Sequence, residues 1–270
     1  MAIVGHVGAP FAALHEALVD VAVDWAALRD TPLSPELRQT ALNAWGYRVQ
    51  TEFRSVQVMT RFLTEVLGAG DPLEIYAGVV DAITDEVRHT ALCVGVVEAL
   101  GARAQLPDPV AETEEAGFLA LGMPQRALGT AISMLAVSET ISVALIEDLQ
   151  RRCDHPTIRA VLDATLADED THQDFGWAYV RASLSRFDGA AHDYGRAVVE
   201  TTLTPLLEPA KQRVAAMPAG KRSLEAWDEP ELAALGLMSD SREALVTVDA
   251  YERLLHPRLR ALDLLPPGSL

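Results

Sequence analysis

The chain has 270 residues, a formal net charge of −17 and 49% apolar side chains. That acidic balance argues against binding to nucleic acid or to an anionic membrane surface, both of which need a basic face. The apolar half supplies a sizeable core and argues against disorder.

Ala, Leu, Glu and Arg dominate, and strand-favouring runs are scarce, which is a helical composition. Apolar residues recur at helical spacing from about Phe11 to Leu28. After a turn, Ser34 is a candidate N-cap and Pro35 a first helical residue, opening a helix that runs to about Leu67 and stops at Gly68-Ala69-Gly70. Asp71-Pro72 starts the next, ending near Gly101, and an acidic connection with two prolines occupies 102 to about 123. A third long helix is expected from Pro124 to about Cys153, and a fourth from Pro156 to about Ser185. A further helix spans about Gly189 to Met217, with kinks expected at Pro205 and Pro209. Pro218 to Pro230 reads as irregular, a last helix covers about Asp240 to Leu262, and the Pro266-Pro267-Gly268 tail is expected to fray.

Two helical hairpins joined by one long connection make the ferritin-like form of the four-helix bundle. The expectation is therefore an all-α, single-domain chain of residues 1–270. Its bundle core lies at about 35–185, and extra N-terminal helices and C-terminal helices at about 189–262 pack on it. An α-solenoid would need a unit in three or more copies, and none is found. The most apolar stretch, Leu128 to Leu145, is interrupted by Glu139, so no membrane span is expected. With only Cys93 and Cys153, and no Lys or Arg in the first 25 residues, the reading is cytoplasmic.

The residues that carry chemistry are acidic and sit inside apolar helices. Glu52 lies among Val49, Phe53 and Val56, and Glu139 between Val137 and Ile141. Glu86 with His89, and Glu169 with His172, each stand three apart and share a helix face. One Glu from each of two helices plus Glu-x-x-His from each of the other two is the di-iron carboxylate pattern. Carboxylates bridge two cations and offset their charge, and imidazoles complete each shell. A single Glu-x-x-His arises by chance in roughly half of chains this long, but both copies here extend to Asp-Glu-x-x-His, through Asp85 and Asp168. Glu52 and Glu86 each lie 17 residues from Ala69, and Glu139 and Glu169 each lie 15 from Asp154. Equal arms of an antiparallel hairpin stand at equal height. His15, His155, His192 and His256 have no companion at ligand spacing and are not assigned to metal.

These residues resemble the ferritin-like di-iron oxygenase and oxidase superfamily over about residues 35 to 185. Asp85 to Cys93, reading D-E-V-R-H-T-A-L-C, resembles the first metal motif of bacterial multicomponent monooxygenase hydroxylases, with Arg88 inside it. The second motif has Thr171 where those enzymes carry Arg. Arylamine N-oxygenases are similar in ligand spacing but carry an extra His at the position of Thr165. The radical-generating subunit of class I ribonucleotide reductase has a Tyr where Cys93 stands.

The resemblance implies two iron ions on Glu52, Glu86, His89, Glu139, Glu169 and His172, with Mn/Fe left open. It also implies O2 as co-substrate and a reductase or ferredoxin as external electron donor. Asp85 is then expected to pair with His172, and Asp168 with His89. Residues one turn from the ligands would line a pocket for a small organic molecule: Arg48, Val56, Cys93 and Leu135, with Val143, Thr165, Gln173 and Gly176. Cys93 suits a small buried hydrophobe better than a pocket residue. The leading expectation is hydroxylation, N-oxygenation, desaturation or a related oxidation. The alternative is an iron-handling protein, such as a ferroxidase or peroxide scavenger. The C-terminal helices suit covering a pocket or forming a homodimer.

Overall fold

A computed structural model describes residues 9–105, 116–187 and 189–265. Part of the expected acidic connection, 106–115, and the Pro266-Pro267-Gly268 tail lie outside the described residues. Among the described residues the chain is all-helical, with no β-strand.

The N-terminal helix expected over 11–28 is two pieces, α1 (Ala9–Leu18) and α2 (Trp25–Arg29). Between them Val19, Val21 and Val23 turn toward the core while Asp20, Ala22 and Asp24 face out. That is a period of two, written in β-branched residues, and an extended segment satisfies it better than a helix. Asp24 then caps α2, its carboxylate accepting from the Ala26 and Ala27 amides at 3.1 and 3.2 Å.

Helix α3 (Pro35–Ala69) begins where Ser34 accepts from the Leu37 amide at 3.1 Å. It ends where Gly70 takes a left-handed φ of 72°, a conformation that costs glycine little. Helix α4 (Leu73–Ala99) returns alongside it. After the short α5 (Ala116–Leu119), a continuous rod runs through α6 (Met123–Thr130), a π-helical segment (Ala131–Ser138) and α7 (Glu139–Arg152). Helix α8 (Pro156–Leu184) packs back along this rod and also against α4.

The order of these four rods follows from two contacts. Arg38, near the start of α3, donates to the Leu100 carbonyl at 2.9 Å, so α4 ends there. The Met123 side chain packs on Gly68, at the other end of α3. The connection from α4 to α6 therefore travels back over some 30 helical residues of α3, about 45 Å.

The expected C-terminal helices pack on α7 and the π segment. Helix α9 (Gly189–Ala216) carries Pro205 and Pro209 inside it. The stretch expected to be irregular holds two 3-10 turns, Ala219–Lys221 and Leu224–Trp227, before α10 (Pro230–Ala233). The last rod comprises α11 (Asp240–Ala250), a π-helical turn (Tyr251–Leu255) and α12 (His256–Ala261). Pro257 has no N–H to close an α turn, and the π turn lies just before it.

Burial divides the apolar core in two. One cluster joins Met59, Phe62, Ile132, Leu135 and Val180; the other joins Trp45, Val49, Leu92, Ile158 and Leu235. The polar residues singled out in the sequence lie between them. The rod Met123–Arg152 is long and apolar enough to cross a membrane, but two-thirds of its most apolar window is buried inside the protein. Core packing accounts for its composition.

Candidate metal centre

Four helices supply the site: Glu52 from α3, Glu86 and His89 from α4, Glu139 from the first turn of α7, and Glu169 and His172 from α8. Their donor atoms form two sets. Glu52, Glu86, His89 and Glu169 converge within 4.8 Å of one another, as do Glu86, Glu139, Glu169 and His172. Glu86 and Glu169 belong to both sets; Glu52 and Glu139 belong to one each. Two cations bridged by two shared carboxylates, each completed by one further Glu and one His, fit that division.

The hairpin arithmetic depends on regular helices between ligand and turn. Glu139 is the first residue after the π segment, so the arm from Glu139 to the turn at Asp154 contains only α7. The irregularity lies on the far side, where it can rotate the rest of the rod without disturbing ligand height.

Both imidazoles are oriented from outside the cluster. His89 Nε2 lies 3.0 Å from Asp168 Oδ2, and His172 Nε2 lies 3.2 Å from Asp85 Oδ2. Asp85 thus reaches the imidazole on α8 and Asp168 the one on α4. Arg88 ties the two acids together, Nη1 donating to Asp85 at 2.6 Å and to Asp168 at 2.7 Å, while Nε donates to the Leu18 carbonyl at 3.2 Å. With Nε2 donating outward, each neutral ring turns Nδ1 inward as an acceptor, the arrangement a metal requires. His89 Nδ1 stands 3.3 Å from Glu169 and 3.9 Å from Glu52; His172 Nδ1 stands 3.4 Å from Glu169 and 3.7 Å from Glu86.

A fit test for metal comes from atoms left over. His89 Nδ1, His172 Nδ1, Glu86 Oε2 and Glu169 Oε2 are buried without a hydrogen-bond partner, and all four belong to the ligand sets. Each such atom, left so, costs about 1–3 kcal/mol. Cations at these atoms would relieve that cost, so the donor set fits metal.

Without metal, protons must do the same work. Burial, reinforced by Glu86, pushes Glu52 up to about 8. Burial followed by the Glu169 charge holds Glu139 well above the usual carboxylate range, and burial raises Glu86. Burial opposes charge on both imidazoles, yet Asp168 and Glu169 raise His89 well above normal and Glu169 raises His172. Glu169 is itself lowered against burial, by His172 and His89.

No family model, curated protein or solved structure matches the chain. The functional reading therefore rests on this geometry.

A cavity of about 680 Å³ opens beside the centre and touches Glu52. Of the residues expected to line a pocket, Arg48, Cys93 and Thr165 do so. Val56, Leu135, Val143, Gln173 and Gly176 do not. Leu135 is wholly buried in one apolar cluster, and Gln173 accepts a hydrogen bond from Arg258 of α12. Gly176 makes room for a backbone and not for a ligand: a Cβ there would come within 2.5 Å of Leu135 Cβ. Cys93 is buried against the cavity, and burial raises its thiol further from ionisation, which leaves it an inert wall. The cavity's other wall, Leu232 to Glu243, comes from the C-terminal region and was absent from the sequence list. Among the unassigned histidines, His155 lies 2.8 Å from Thr31 Oγ1 and His256 packs edge-on against Tyr251.

The outer acids give a first prediction. Asp85→Asn or Asp168→Asn should lower metal affinity about 10–100-fold while leaving both ligand sets in place. Competition against a chelator measures it, and wild-type affinity in both variants would show that the acids do not orient the imidazoles.

Proposed function

We propose that the protein is a non-haem di-iron oxygenase or oxidase with a ferritin-like bundle, acting on a small organic molecule. The observation that carries this reading is the pair of overlapping ligand sets sharing Glu86 and Glu169. The antiparallel hairpins and the connection that runs the length of α3 support the ferritin-like assignment. Iron held by these six residues would supply O2 activation, with electrons from a reductase or ferredoxin. The chain's own part is to fix both imidazoles through Asp85 and Asp168, to keep water out with an apolar cluster at either end, and to present Glu52 to the cavity.

That cavity favours the oxygenase over the iron-handling alternative, because an iron store needs no partly apolar cavity beside its ligands. The test is to load the protein with ferrous iron without oxygen, admit O2, and follow oxygen uptake and iron together. About two irons per chain that stay bound, with O2 uptake stimulated by an organic substrate and a reductant, is the expected result. Growth of a ferric mineral of many irons per chain, indifferent to organic molecules, would transfer the site to the alternative.

A further inference from the structure

The cavity beside the centre contains one unsatisfied cation. Arg48 lines it, one helical turn before Glu52 on α3. Its guanidinium lies 4.3 Å from the Trp45 ring centroid, and Nη2 donates to the Gly236 carbonyl at 2.8 Å. Nη1 is buried and has no hydrogen-bond partner. Among the described residues no carboxylate stands at ion-pair distance from this guanidinium. A half-buried guanidinium with one arm fixed and a buried Nη1 unpaired is a costly arrangement, and an arriving anion would relieve it.

The surroundings limit which anion that is. Leu145, Ile146, Val161 and Leu162 give the cavity apolar walls, which suit a hydrocarbon or aryl body. Asp240 and Glu243 also line it. Acidic residues repel a phosphate dianion more than a single carboxylate, and only one guanidinium arm is free to pair.

We propose that the cavity binds a carboxylic acid with an apolar body, its carboxylate on Arg48 and its body directed toward Glu52. This names the substrate class of the oxidation proposed above and rests on that reading for the chemistry, although the binding step itself needs no metal. Burial, with Asp240 next, raises the pKa of Glu243. The stacked Trp45, buried beneath the guanidinium, gives a fluorescence signal for occupancy.

The experiment titrates octanoate, octanamide and octyl phosphate into the full-length protein, with and without ferrous iron, reading Trp fluorescence and calorimetry. Octanoate should bind about tenfold or more tightly than either analogue. Arg48→Met should remove that preference while leaving octanamide unchanged, and Arg48→Lys should keep part of it. Equal affinity for octanoate and octanamide, octyl phosphate binding as tightly as octanoate, or undiminished octanoate binding by a folded Arg48→Met would each overturn the proposal. Should Arg48→Met fail to fold, the comparison of the three ligands on the wild-type protein still decides it. Iron stoichiometry on the same samples separates the two readings. A carboxylate preference without iron binding would sink the di-iron function alone, and iron binding without the preference would sink this inference alone.

Discussion

Glu86→Ala and Glu169→Ala should each abolish tight binding of both metal ions, whereas Glu52→Ala and Glu139→Ala should each leave one ion bound. The asymmetry follows from the shared and unshared carboxylates of the two donor sets. Anaerobic ferrous titration reads it as plateaus near zero and near one ion per chain, against about two for the wild type. Four variants with the same plateau would refute the bridged arrangement. Glu147 is the control, since it is half exposed and pairs with Arg151 at 3.5 Å. Glu65 is a poorer control. It is fully buried, accepts from Thr130 at 2.7 Å and pairs with Arg61 at 3.3 Å, so Glu65→Ala should lower stability without changing stoichiometry.

The same centre fixes a pH dependence. Glu52, Glu86, Glu139, His89 and His172 all hold protons more tightly than usual in the metal-free protein. A group with a raised pKa must release its proton before it can ligate, so metal binding should release protons and strengthen as pH rises. For Glu52 the window reaches to about 8. Titration in weak buffer measures the protons directly, and an affinity that falls between pH 6 and 8 would contradict the assignment.

The second large effect is expected far from the metal. Arg242 on α11 grips Asp148 on α7 through two 2.7 Å hydrogen bonds, and its Nη1 donates to the Leu224 and Trp227 carbonyls at 2.7 and 2.9 Å. Arg152 adds a bond to Asp148 at 3.0 Å. Both Asp148 and Arg242 are buried. Arg242→Met should therefore cost about 2–4 kcal/mol, because it removes the bidentate partner of a buried carboxylate and leaves it to Arg152. An apolar replacement of both partners should cost less than the two single changes combined. Denaturant unfolding measures all three, and a loss below ~1 kcal/mol for Arg242→Met would show that the pair does not anchor α11. Burial raises the Asp148 pKa, but Arg242 and Arg152 outweigh it and hold it low. Its contribution is thus present above the unfolded carboxylate range, about 3.9, and is lost as pH falls through the lower folded value. Because Asp240 and Glu243 of α11 line the cavity, Arg242→Met should also weaken ligand binding there while the metal ligands stay in place.

Local chemistry settled much of this molecule in the amino-acid order. Ser34-Pro35 and Gly70 delimit α3 because a cap side chain and a left-handed glycine act within a few residues of themselves. The six candidate ligands were legible because carboxylates inside apolar helices have few roles, and three-residue spacing already puts Glu and His on one face. Val19 to Asp24 misled for a related reason: apolar residues at 19, 21 and 23 fit a period of two as well as part of a helix, and packing of the three valines onto the core selected the extended form. The π segment before Glu139 also escaped the sequence, since its apolar run is compatible with either winding and contacts with α8 and α9 accompany the choice.

Tertiary structure alone decided the rest. The chain order pairs Arg48 with Gly236 across 188 residues and Asp148 with Arg242 across 94. It likewise turns Gly176, which reads as space for a ligand, into the place where α8 meets the Leu135 backbone. Helical periodicity reports which face of a helix is apolar, within a turn or two of each residue. Which distant face meets it is fixed by how the rods pack together, and the cavity wall exists only once that packing has formed.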